Sequence, residues 1–113
     1  MRISIDIAEP WDLGEALDWA LLLGTIVEWS EDEEGGCALV ALDTPISYKG
    51  IQRDYIRATP RHEGVKISTL KFGAQVLCSM IGLSQEQVQA GGSWATSRWD
   101  GKIGIIGTVE RVV

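Results

Sequence analysis

The sequence predicts a mainly-β protein, a small barrel or sandwich of about six or seven short antiparallel strands with one or two short helices. Three observations point there. The opening Arg2-Ile3-Ser4-Ile5-Asp6-Ile7 alternates apolar and polar with period two. The stretch from Thr25 to Leu42 holds two β-branched or apolar runs around an acidic, glycine-ended loop. Tight-turn dipeptides, Lys49-Gly50 and Asp100-Gly101, punctuate the rest.

In the first run Ile3, Ile5 and Ile7 share one face of a half-buried strand. Residues 9–23 are ambiguous. Pro10 and Gly24 mimic helix punctuation and Trp11, Ala16, Leu17, Ala20 and Leu21 can line a helical face. Gly14 weakens that helix by about 1 kcal/mol relative to alanine, so a short helix or irregular arm leading into a strand is expected.

Thr25-Ile26-Val27-Glu28-Trp29 and Cys37–Leu42 form a hairpin across Ser30–Gly36, and Asp43-Thr44-Pro45 interrupts regular structure. Ile46–Tyr48 and Ile51–Ala58 flank the Lys49-Gly50 turn, and Thr59–Gly64 ends that strand as a loop. By simple alternation Arg53, Tyr55 and Arg57 point to one face of it.

Residues 74–82 suit a strand or a helix, with strand preferred between Gly73 and Gly82. Ser84 to Gln87 has capping-box spacing and starts one or two helical turns. At the C-terminus the Asp100-Gly101 turn sets Trp99 opposite Lys102, Ser97 opposite Gly104 and Trp94 opposite Gly107. This architecture is analogous to small SH3-like barrels, with no family motif to quote.

The 113 residues fit one domain, 1–113, able to bury a core without metal or disulfide staples. No apolar run approaches the roughly 18–20 residues of a membrane span. Met1–Asp6 lacks the regions of a signal peptide. Cytoplasmic residence is therefore expected, with Cys37 and Cys78 reduced and buried.

A net charge of −6 disfavours nucleic acid and anionic membrane as partners. The charge is unevenly placed. Residues 1–43 carry eleven acids against Arg2 alone, whereas residues 44–71 carry six bases against Asp54 and Glu63. The plainer account is mutual neutralisation within the fold; the sharper one is an exposed partner-binding surface.

Catalytic and metal signatures are missing. His62 is the only histidine, the two cysteines cannot build a zinc cage, and no phosphate loop, dinucleotide fingerprint or nucleophile elbow occurs. No cofactor or metal is expected.

The best candidate site is Arg53, Tyr55 and Arg57 with Tyr48 nearby and Arg61-His62 in the following loop. Guanidinium groups grip carboxylate or phosphate through paired hydrogen bonds, and tyrosines add flat surface. The competing account is a solvated edge strand followed by an ordinary turn. Of the five tryptophans, Trp29 and Trp94 are expected in the core, while Trp19 and Trp99 are candidates for a ligand groove or dimer interface.

These features favour a non-enzymatic binding module with a protein partner, a homodimer or a small anionic ligand. One alternative is a small acidic inhibitor, immunity- or antitoxin-like, of a basic protein. Another is a hydrolase or isomerase using His62 with Arg57, Arg61 or Glu63. Single-strand nucleic-acid binding through Tyr48, Tyr55 and the arginines is the weakest.

Overall fold

A computed structural model of the chain describes residues 1–9, 22–30, 36–61, 64–82 and 104–113. Six strands make a closed barrel: β1 (Arg2–Glu9), β2 (Leu22–Ser30), β3 (Cys37–Tyr48), β4 (Ile51–Pro60), β5 (Gln75–Gly82) and β6 (Ile105–Val112). They follow one another around the ring as β1-β2-β3-β4-β6-β5. The barrel is the one expected, but two seams, β1 with β5 and β4 with β6, are parallel.

Local sequence explains most elements. Alternation in β1 buries Ile3 and Ile5 and leaves Asp6 exposed. At the β3–β4 turn Lys49 (φ 52°) and Gly50 (φ 75°) both take positive φ, the conformation whose twist suits a two-residue hairpin. Residues 75–82 are strand, alternating Val76, Cys78 and Met80 into the core. β4 runs on through Pro60, which pairs with Val109 at the strand's end, where a proline costs the ladder little.

Two irregularities shape the rest. Ile26 faces Val40 and Glu28 faces Leu39, so Val27 is an extra residue that bulges. Trp29, expected in the core, is 38% exposed, because it stands one pair from the end of β2 on the barrel rim. The second irregularity lies at Leu42–Pro45, where pairing jumps from Ala41–Tyr55 to Ile46–Arg53.

The C-terminal register differs from expectation. Gly107 lies between Ala58 on β4 and Met80 on β5, so both its sides are occupied, while Trp94, expected opposite it, lies outside the described residues. The Asp100-Gly101 turn, the helical turns after Ser84 and the arm at 10–21 fall outside the described residues.

The interior is hydrocarbon along most of its length: Ile5, Ile26, Val40, Ile56, Val76, Met80, Ile105 and Val109 are all nearly or fully buried. Cys37 and Cys78 are buried free thiols. Strand direction defines two ends. The lower holds the start of β1 and the β4–β5 connection, whose short 3-10 turn (Ile67–Thr69) and Val65 insert apolar side chains into the core. The upper gathers the β3–β4 turn, the end of β5 and the start of β6. No helix among the described residues is long and apolar enough to cross a membrane.

Candidate functional site

Directly opposed residues of an antiparallel pair share a face. Tyr55 opposes Ala41 and Arg57 opposes Leu39, which alternate with the core residues Val40 and Ala38. Tyr55 and Arg57 therefore stand on the outer wall. Arg53 instead opposes Ile46, a core residue. Between these pairings β3 advances five positions and β4 only two, so the alternation breaks and Arg53 turns inward.

The predicted Arg53–Tyr55–Arg57 face is thus divided. Arg57 is 6% exposed within an outer row that runs Glu28, Leu39, Arg57, Ile106 and Ile81 across five strands. Arg61 lies at the lower end, about 25 Å along the chain from Arg53 at roughly 3.3 Å per residue. Its backbone N–H donates to Val109 O at 3.0 Å, and its Nε sits 3.8 Å from Glu110 Oε2. Glu110 accepts a hydrogen bond from Ser79 Oγ at 2.7 Å. Arg61 is largely exposed, so this pair adds little to stability. His62, Trp19 and Trp99 lie outside the described residues, as does Glu63.

The structure brings Arg53 together with Tyr48. Tyr48 is 6% exposed and ends β3; Arg53 is 3% exposed and lies near the start of β4. The guanidinium carbon is 5.4 Å from the ring centroid, and Lys49 Nζ is also 5.4 Å from it. Two cations thus sit about one aromatic ring, one buried and one at the exposed turn.

Two glycines make room. The Tyr48 ring crosses from β3 to Gly82 on β5, where a Cβ would lie 2.7 Å from Tyr48 Cδ2 and Cζ. Arg53 folds against Gly104, just before β6, where a Cβ would collide with its Cδ and lie 3.2 Å from Nη1. Any larger residue at either position would displace the aromatic ring or the guanidinium.

The polar accounting at this end does not balance among the described residues. Arg53 Nε and Nη2 are buried and have no hydrogen-bond partner there. Guanidinium groups remain charged inside proteins, and a buried charge without a partner costs several kcal/mol, on the order of 3–5. By contrast, the exposed Arg2 is fully engaged, donating from Nη1 and Nη2 to the two Asp43 oxygens at 2.5 Å.

Arg53 and Tyr48 were legible as candidates, but Gly82 and Gly104 were not. Their role follows from the ring order, which no local pattern encodes. The signal that Arg53 faces inward was Pro45, since proline inside a strand marks a bulge or an edge. In comparisons with protein-family models, curated proteins and solved structures, the chain has no significant match.

Proposed function

We propose that this protein is a non-enzymatic binding module whose ligand is an anion seated at the upper end of the barrel against Arg53 and Tyr48. The ligand is a small anion or an acidic group of a partner protein. One observation carries the reading: a buried guanidinium whose Nε and Nη2 find no acceptor among the described residues. A fold gains nothing from such a group unless something else supplies the acceptor.

Two further features support it. Lys49 beside the same ring adds positive potential at the exposed turn, favouring the approach of an anion. The free thiols of Cys37 and Cys78 suit a reducing compartment, which supports cytoplasmic residence. The six described strands close into a ring and leave one another no open edge, so a docked anion is a better-supported reading than strand-edge pairing.

The test is thermal unfolding across a panel of sodium salts at constant ionic strength. A specific anion should raise Tm in the wild type and leave Arg53→Met unmoved. Equal shifts in both proteins would defeat the reading.

A further inference from the structure

We propose that the anion is a carboxylate, received side-on and in plane by the Nε/Nη2 edge of Arg53. This rests on the anion-binding reading above and specifies the ligand chemistry of the same site.

A guanidinium offers two kinds of edge. Nε and Nη2 carry parallel N–H bonds on one side, at a spacing that matches two oxygens of one acceptor group. These are the two Arg53 atoms left without a partner among the described residues, and both are withdrawn from solvent. Nη1, on the far side, lies against Gly104. The vacant donors thus form one complete fork rather than two scattered positions.

Shape and charge then select the acceptor. The guanidinium lies against the Tyr48 ring, and Ile46 stands directly opposite Arg53. A carboxylate places both oxygens in the plane of the fork and needs nothing above or below it. A tetrahedral phosphate also carries oxygens out of that plane, toward the ring and the hydrocarbon, where each would be buried at a cost.

Charge leads to the same choice. Among the described residues the site provides one positive charge at depth, since Lys49 is exposed and Arg57 stands on the outer wall. A monoanion balances it; a dianion leaves an uncompensated negative charge in a low-dielectric setting.

The carboxylate has two possible sources, a free organic acid or the side chain of an acidic peptide segment. Nitrogen-15 NMR of the arginine Nε–H groups reads the fork directly, with the Arg53 signal assigned by its loss in Arg53→Lys. Benzoate, a tetraglutamate peptide and inorganic phosphate are each titrated at constant ionic strength.

A saturable shift of the Arg53 signal is expected with benzoate, with the peptide or with both, at an affinity at least tenfold above that of phosphate. Benzoate alone identifies a small acid, and the peptide identifies an acidic segment. Arg53→Lys keeps a charge but lacks the fork, so it should lose at least tenfold in affinity for the same probe, followed by the backbone amide of Gly104. Arg53→Gln, which keeps one amide donor, provides a second variant and should lose as much.

Phosphate binding as tightly as the carboxylates would overturn the carboxylate assignment while leaving the anion site intact. A wild-type signal unmoved by all three probes would overturn both. Undiminished binding by Arg53→Lys would show that charge alone suffices and would remove the side-on fork.

Discussion

At the lower end of the barrel Val65 and Ile67, 4% and 0% exposed, fill the lumen with hydrocarbon. At the upper end a phenol ring and a guanidinium, almost as deeply buried, occupy the corresponding place. Both arrangements exclude water, but their energetics are opposite in kind. An apolar plug gains free energy from burial and needs only the right volume. A buried arginine loses hydration and recovers it only through an acceptor. Stability accounts for the first end; at the second, Arg53 Nε and Nη2 have no acceptor among the described residues, and the proposed anion would supply one.

Substitutions at each end should therefore differ in sign. Ile67→Ala removes a fully buried side chain from the lower plug and should cost about 2–5 kcal/mol in urea unfolding. A loss below about 1 kcal/mol would mean the plug collapses freely and the contrast is overstated. Arg53→Met in buffer free of multivalent and organic anions should instead stabilise by about 1–4 kcal/mol. A clear destabilisation there would mean that Arg53 is already satisfied by a carboxylate of the chain itself.

The upper end can be sharpened further through its glycines. Gly82→Ala forces a Cβ into the Tyr48 ring and should cost about 1–3 kcal/mol. The cost should vanish when Tyr48 is also replaced by alanine, since the two residues meet directly. A full cost persisting in the Tyr48→Ala background would separate Gly82 from the ring.

Between the ends, Cys78 reports on the lumen itself. Burial first, and the Glu110 carboxylate second, push its thiol from an ordinary 9.0 up to about 12. The native state thus holds this proton where the unfolded chain has released it. The contribution of this thiol is fully present below about pH 9 and is lost progressively as pH rises toward 12. The slope reaches at most about 1.4 kcal/mol per pH unit for one proton. Cys78→Ala should flatten this alkaline decline; an unchanged decline would assign it to other groups.

Much of this molecule is legible locally. Ile3 and Ile5 alternate into the core, Lys49-Gly50 turns the chain, and the runs around residues 31–35 pair as a hairpin, because each is decided by neighbours a few residues apart. Ring order is decided otherwise. That β1 lies beside β5 and Gly107 between Ala58 and Met80 depends on contacts between distant segments, which period and turn chemistry do not record. The site shows both cases. Arg53 and Tyr48 stand out by residue type, whereas the separation of Arg53 from Tyr55 and Arg57 follows from a shift in pairing on the neighbouring strand. Applying the break at Pro45 across to β4 would have revealed it.

The position of β6 also bears on how the chain reaches its final form. β6, the sixth of the described strands in chain order, is threaded between β4 and β5, and β1 waits for β5 to complete its second seam. A nascent polypeptide therefore cannot finish the ring while it is still being translated through residue 104. Assembly awaits one late insertion, with large loop-closure entropy lost beforehand. Refolding in the millisecond-to-second range is the expected sign in stopped-flow fluorescence, and microsecond kinetics would contradict it.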